Sequence, residues 1–318
     1  MPKPVLFVTR RLPASIEALA AREYQARLTP SDVAIPNLIP QSEGADAILC
    51  CPGDVLNAKT IAALPDSIKV IGTFSVGYDH IDVAAAKTRG IKVCNTPDVL
   101  SVATAECALL LIMLAARRAG EGERLVRSGK WEGWAPTQLL GTQVSGRRLG
   151  IFGMGRIGRE IARMARGLDM EIHYRDMTRL PPDLEQGAIF HDSDDSFLSI
   201  CQVLSLNAPG GDGTRHWLNA ERIGKLPPGA VVVNAARGTL IDDTAMIAAL
   251  RSGQIAAAGL DVYNGEPHLN LEYLTLENVV LLPHLGSATT ETRDAMGRIV
   301  LSGIGAVLAG QSPSNLVV

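Results

Sequence analysis

The chain lacks any sign of a disulfide framework. Its five cysteines, Cys50, Cys51, Cys94, Cys107 and Cys201, are odd in number and none belongs to a CxxC pair, which suits reduced thiols in a cytoplasmic protein. It also lacks an apolar run of membrane length: the longest, Cys107–Ala116, is ten residues, about half of what a spanning helix needs. From Met1 to Thr9 the sequence passes straight into a strand-like run, with no long apolar leader. No basic block is present, and 30 Lys+Arg against 33 Asp+Glu leave a net charge of -3. Neither nucleic acid nor an anionic membrane is therefore an expected partner. Internal repeats and low-complexity tracts are missing too. What remains is ordinary for a soluble enzyme: 47% hydrophobic and 20% charged over 318 residues, a length that suits two domains better than one core.

Short apolar runs alternate with amphipathic stretches almost throughout. Val5–Thr9, Ala47–Cys51, Val70–Phe74 and Ile91–Asn95 read as strands with helices between them, the pattern of a parallel sheet covered by helices. A long helix follows at about Val102–Arg118. Its apolar segment Cys107–Ala116 is too hydrophobic for a solvent face, so a homodimer burying it is expected. The irregular stretch Gly129–Gly146, with its Gly, Trp and Pro, looks like a crossing between domains. A second series then begins: strands at Arg148–Phe152, Glu171–Tyr174, Val203–Asn207, Ala230–Asn234, Ala256–Leu260 and Val279–Leu282. Helices fall at Arg156–Leu168 and Asp242–Ser252, and a last long one at about Thr290–Ala309. The fold class is α/β: two Rossmann-like lobes with parallel sheets, and an active site expected in the cleft near the strands' carboxyl ends.

Gly153-Met154-Gly155-Arg156-Ile157-Gly158 matches GxGxxG, which among 31 glycines means little by itself. Its setting gives it weight, because an apolar strand runs into it and a helix leaves it. Gly153 permits the tight turn, Gly155 lets the backbone approach a pyrophosphate, and Gly158 allows close helix–strand packing. Asp176 ends the next strand, where an acid is expected to bind the adenosine ribose hydroxyls and to repel a 2′-phosphate. NAD(H) is favoured on that ground. Arg175 and Arg179 flank the acid and could pair with such a phosphate, so NADP(H) stays open.

Three polar residues each stand just after a strand of the second series. Arg237 follows Val231–Ala236, Glu266 follows Gly259–Val262 and precedes Pro267, and His284 follows Leu281-Leu282-Pro283. Polar chemistry on an anionic, carbonyl-bearing molecule needs a fixed cation, which the planar fork of Arg237 supplies. It also needs a proton donor that titrates near the working pH, and a carboxylate bonded to it holds and tunes that donor. Spacing alone does not bring the three together.

With Asn234-Ala235-Ala236-Arg237-Gly238, Gly259-Leu260-Asp261-Val262-Tyr263, Glu266-Pro267 and Pro283-His284-Leu285-Gly286 in that order after the GxGxxG, the chain resembles the D-2-hydroxyacid dehydrogenase family over nearly its whole length. Ser75–Asp82 and the Trp131…Trp134…Pro136 stretch belong to the likeness. The opening Val8–Pro13 is similar to that of the glyoxylate/hydroxypyruvate reductases. The resemblance implies a hydride transfer between NAD(P)H and a small 2-keto or 2-hydroxy acid. It implies that Arg237 binds the substrate carboxylate and keto oxygen, that His284 is the acid/base with Glu266 as its partner, and that backbone N–H groups of Val76 and Gly77 hold the carboxylate. Arg156 and Ile157 would meet the pyrophosphate, Asp176 the ribose and Asp261 the nicotinamide carboxamide, with Thr104, Asn207, Pro209, Ala235 and Gly286 lining the groove. It further implies a discontinuous substrate domain, 1–100 plus 289–318, around a dinucleotide domain, 101–288.

Two positions depart from many relatives: Asp176 is followed by Met177, and Asn207 stands where several carry histidine. Glu266 disfavours formate dehydrogenase, which has glutamine there. A non-catalytic NAD-binding co-regulator on the same fold is the rival reading. His191, Asp192, Asp194 and Asp195 read as a solvated loop capping a helix that begins near Asp195, and no metal is expected. Cys50 and Cys51 read as small buried hydrophobes, and Trp134 is open between substrate contact and packing.

Overall fold

The computed structural model describes residues 2–318 and divides into two compact units, one running to Leu100 and resuming at Ala288, the other spanning Ser101–Ser287. Each is built on a wholly parallel sheet. Parallel strands are joined by helices that cover both faces, so the central strands can be apolar on both sides.

The first unit has β1 (Val5–Val8), β2 (Gln25–Arg27), β3 (Ala47–Cys50), β4 (Val70–Thr73) and β5 (Lys92–Cys94), in the order β2-β1-β3-β4-β5. Every residue of β3 and β4 is buried. The chain's last helix, Thr290–Leu308, belongs here: it packs on β4, β5 and the helix Ala14–Glu23. Thr289 caps its start, the hydroxyl accepting from the Thr292 N–H at 3.1 Å. Tyr24 Oη donates to the Leu301 carbonyl at 2.6 Å, and Asn315 Nδ2 to the Asn95 carbonyl at 2.8 Å. The approach of helix to sheet is close enough that a Cβ at Gly72 would stand 2.6 Å from Ile304 Cδ1 and 2.7 Å from Val300 Cγ2.

The second unit has seven strands, β6 (Arg148–Phe152), β7 (Glu171–Arg175), β8 (Ile189–Phe190), β9 (Val203–Leu206), β10 (Ala230–Asn234), β11 (Ile255–Leu260) and β12 (Val279–Leu281). Their order is β12-β11-β10-β9-β6-β7-β8. The chain builds outward from β6 through β7 to β8, then returns to the other side of β6 with β9, where Phe152 pairs with Leu206. The loops leaving β6 and β9 therefore diverge from a switch point, where open α/β sheets bind ligands. The helix Ser101–Ala116 lies against β10, β11 and the helix Arg156–Ala165. Its inner face, Cys107, Ala108, Leu111, Ile112, Ala115 and Ala116, is buried, while Val102, Leu110 and Met113 stay exposed.

Some details differ from the sequence reading. The edge strands β2 and β8 escape it because they are only three and two residues long. The stretch 129–146 is irregular but lies inside the second unit; the chain crosses between units at Leu100/Ser101 and Ser287/Ala288. Ser193, not an aspartate, caps the helix Asp194–Leu198. No helix among the described residues is long and apolar enough to cross a membrane.

Gly72→Ala tests the seating of the last helix. The added methyl must displace Ile304 and Val300, and overpacking of this kind costs about 1–3 kcal/mol. The urea midpoint of unfolding should fall; an unchanged midpoint would mean that the helix is not closely seated on β4.

Candidate active site

The polar residues of the second unit hang from the carboxyl ends of its strands. After β10, Asn234 folds the chain into a turn: its buried amide Nδ2 donates to the Arg237 carbonyl at 2.8 Å and its Oδ1 accepts from the Ala236 N–H at 3.0 Å. Gly238 has no room for a Cβ, which would overlap the backbone of Tyr263. The Arg237 turn is thereby set against the loop that follows β11. Within that loop Glu266 Oε1 accepts from the Tyr263 N–H at 2.8 Å, while the Tyr263 hydroxyl reaches the carbonyls of Leu282 at 2.8 Å and Leu260 at 3.1 Å.

His284 comes after β12 with φ of +57°. Its N–H donates to the Asp261 carbonyl at 2.9 Å, and the next two amides, Leu285 and Gly286, donate to the two oxygens of the Asp261 carboxylate at 2.6 and 2.8 Å. Asp261 is fully buried. Burial pushes its carboxyl above the ordinary value, against the lowering effect of those two N–H groups and of His284. The Cys107 thiol also hydrogen-bonds it, and burial first, then Asp261, pushes that thiol up to about 12. A Cβ at Gly286 would lie 3.3 Å from Asp261 Oδ2 and 3.4 Å from Thr104 Cγ2, so Thr104, Asp261 and Gly286 meet at one place.

His284 Nδ1 stands 2.8 Å from Glu266 Oε2, with both side chains part-exposed. Burial works to raise the Glu266 carboxyl, but the hydrogen bond and charge of His284, the Tyr263 N–H and the charge of Arg237 outweigh it and hold the carboxyl below its ordinary value. An ionised carboxylate can only accept, so Nδ1 carries the hydrogen and Nε2 is the atom left for proton exchange. A cation, an imidazole with one fixed N–H and a carboxylate behind it are a set suited to chemistry on a carbonyl beside a carboxylate.

The turn after β6 fits a dinucleotide. Gly153 has φ of +94°, and a Cβ there would lie 2.6 Å from the Ala208 nitrogen; one at Gly158 would overlap the Gly153 carbonyl oxygen. Those two glycines answer to internal packing. Gly155 does not: its φ is -68° and a Cβ would meet nothing within 4 Å. Its bare backbone opens the N-terminus of the helix Arg156–Ala165, which no side chain caps, to an anion. Asp176, just after β7, accepts from the Met154 N–H in this turn at 2.7 Å and from the Met177 N–H at 2.7 Å.

Residues 109–286 match the family described as D-isomer specific 2-hydroxyacid dehydrogenase, NAD binding domain. Over 99% of both chains the sequence is 42% identical to the glycerate dehydrogenase of Hyphomicrobium methylovorum. It is 38% identical to the glyoxylate reductase of Thermococcus litoralis, over 99% of this chain and 97% of that one. The crystal structure of the NADPH-dependent glyoxylate/hydroxypyruvate reductase of Sinorhizobium meliloti, in complex with NADP and malonate, superposes with a TM-score of 0.88 at 30% identity, covering 99% of this chain and 97% of that one.

The chain is a D-2-hydroxyacid dehydrogenase.

As in its relatives' family description, the dehydrogenase carries an NAD-binding domain on a parallel α/β sheet. Of the residues singled out in the sequence, Arg237, Glu266 and His284 come together after β10, β11 and β12. Asn207 and Pro209 follow β9, and Ala235 precedes Arg237 after β10. Val76 and Gly77 follow β4 in the first unit, where Asn95 Nδ2 donates to the Val76 carbonyl at 2.8 Å and the Ser75 hydroxyl to the Gly77 carbonyl at 2.6 Å. Cys50 is buried, Cys51 only partly so. Trp134 is 82% exposed, so packing within the chain does not account for it. His191 pairs with His173, Nε2 to Nδ1, at 2.9 Å. Sequence reasoning missed the turn-forming Asn234 and the clasp made by Tyr263. Both lie inside motifs that it quoted, but a buried amide and a hydroxyl between two strand ends have no signature in spacing.

Proposed function

We propose that this dehydrogenase reduces a small 2-keto acid of the glyoxylate or hydroxypyruvate kind to the D-2-hydroxy acid, with NAD(H) preferred. The names of the relatives support the substrate class, and the 2.8 Å pair of His284 and Glu266 beside Arg237 carries the chemistry. The nicotinamide, when bound, supplies the hydride to C2. His284 Nε2 donates a proton to the alkoxide forming on the substrate, while Glu266 holds the ring and stabilises its charged form. Arg237 anchors the carboxylate and polarises the keto oxygen, and the N–H groups of Val76 and Gly77 serve the carboxylate.

For the cofactor, the backbone from Gly153 through Arg156 and Ile157 to Gly158 takes the pyrophosphate, and Asp176 the ribose hydroxyls. Thr104, Asn207, Pro209, Ala235 and Gly286 line the groove. Asp261, whose carboxylate keeps acceptor capacity beyond the two loop amides and the Cys107 thiol, accepts from the nicotinamide carboxamide. Preference for NAD(H) over NADP(H) rests on Asp176 together with the two neighbouring arginines. Arg175 Nε lies 3.2 Å from Asp194, and Arg179 Nε 2.9 Å from Glu185, so each guanidinium already has a carboxylate. Five free thiols suit a reducing, cytoplasmic setting. Most of the apolar run Cys107–Ala116 packs inside the chain; its exposed residues, Leu110 and Met113, support a homodimer that covers them.

A panel of glyoxylate, hydroxypyruvate, pyruvate and phenylpyruvate with NADH and NADPH tests the reading. Turnover of the first two with NADH ahead of NADPH is expected. His284→Ala should lower kcat by roughly 10²–10⁴, and Arg237→Ala should raise KM while lowering kcat, because it removes ground-state and transition-state contacts together. No turnover of any 2-keto acid would return the co-regulator reading, and a tenfold preference for NADPH would overturn the cofactor assignment. Sedimentation equilibrium should give a dimer at micromolar concentration; a monomer would refute the homodimer.

A further inference from the structure

The loop after β7 holds a second polar device, separate from the catalytic residues. Glu185 is buried although it is charged. Its carboxylate takes Arg179 through both oxygens, Nε at 2.9 Å and NH2 at 3.1 Å, and accepts from the Tyr174 hydroxyl at 2.6 Å. The same hydroxyl accepts from the Leu180 N–H at 2.9 Å. Tyr174, in β7 two residues before Asp176, is itself fully buried. The loop from Asp176 to Glu185 is thus fastened at Leu180 by Tyr174 and at Arg179 by Glu185. Arg175 has a matching arrangement on the other side of Asp176. It pairs with Asp194, which also takes Arg222 Nε at 2.7 Å.

A buried carboxylate is costly unless it is paired, and a bidentate pairing fixes the direction of the guanidinium as well as its charge. Arg179 stands three residues beyond the acid assigned to the ribose, and its side chain remains two-thirds exposed. Its stem has room to move, and what fixes its head is Glu185. We propose that Glu185 is a cofactor-specificity residue that acts through Arg179, holding the guanidinium away from the position a 2′-phosphate would take. It is a positioning residue and touches no ligand itself. The proposal rests on the reading of Asp176 as the ribose acid.

Calorimetric titration of the purified protein with NAD+, NADP+ and adenosine 2′,5′-bisphosphate tests it without turnover. Glu185→Gln keeps the shape and the Tyr174 contact but removes the charge that fixes Arg179. The Kd ratio of NADP+ to NAD+ should fall by about tenfold, the worth of one new charged hydrogen-bonding contact, and the bisphosphate should gain by the same factor. Adding Arg179→Leu to Glu185→Gln should restore the original ratio. Arg179→Leu alone leaves buried Glu185 with only the Tyr174 hydroxyl, so a thermal melt accompanies its titration, and the ratio in the folded protein should stay as it was. An unchanged ratio in Glu185→Gln, or an equal loss for all three ligands, would overturn the latch. So would a loss of NADP+ binding in Arg179→Leu alone. Tighter NADP+ than NAD+ binding by the unmodified protein would instead overturn the ribose reading of Asp176, a result distinct from these.

Discussion

Each oxygen of the Asp261 carboxylate accepts one backbone N–H, from Leu285 and from Gly286, and the carbonyl of the same residue accepts the N–H of His284. Three consecutive residues after β12 are therefore held by one buried residue that directly follows β11. His284 sits at positive φ, a conformation that a non-glycine residue keeps only where its surroundings enforce it. Without that anchorage the imidazole would belong to a loose surface loop. With it, the ring meets Glu266 at hydrogen-bond distance, and a histidine in a half-open position acquires a fixed proton-bearing nitrogen. Thr104 and Gly286 close around the same carboxylate, so the anchorage of the His284 loop and the start of the helix Ser101–Ala116 meet at one buried side chain.

A parallel sheet makes this economy available. All seven strands of the second unit run the same way, so every loop that follows a strand emerges at one edge. Arg237, Glu266 and His284 follow three adjacent strands, and the Gly153–Gly158 turn and Asp176 follow two more. The backbone contacts that set those loops, the Asn234 turn and the close approach of Gly238 to Tyr263, are local and buried.

Much of this was legible in the sequence because parallel strands advertise themselves as apolar runs and because each polar residue of interest directly follows one. The Gly153–Gly158 turn could be read from its strand before and helix after. Convergence could not be read: Glu266 and His284 are separated by the short 3₁₀ helix Leu271–Thr275 and β12, and only the sheet order makes them neighbours. The resemblance to dehydrogenases suggested a cofactor role for Asp261, whereas the structure displays its hold on the His284 loop, which depends on backbone amides that no side-chain pattern records. The edge strands Gln25–Arg27 and Ile189–Phe190 pair along one side only and carry too few apolar residues to stand out. The Trp and Pro residues near 131–136 suggested a linker, but irregular chain also occurs inside a unit. Glu185 was invisible for a simpler reason: an acid in a polar loop looks solvated until Tyr174 and Arg179 are seen around it.

In the proposed mechanism Glu266, its carboxyl held below the ordinary value and bonded to His284 Nδ1, supports the imidazole that delivers the proton. Reduction requires the protonated ring, so kcat/KM in that direction falls as pH rises past the point where the ring loses its proton. The most direct measurement is the pH profile of kcat/KM for 2-keto acid reduction in Glu266→Gln beside the unmodified enzyme. A neutral amide keeps the size and one acceptor but stabilises the charged ring less, so the alkaline limb should move to lower pH while activity at acid pH persists. An alkaline limb at the same pH in both proteins would mean that Glu266 does not tune His284, and the acid–base assignment would be wrong.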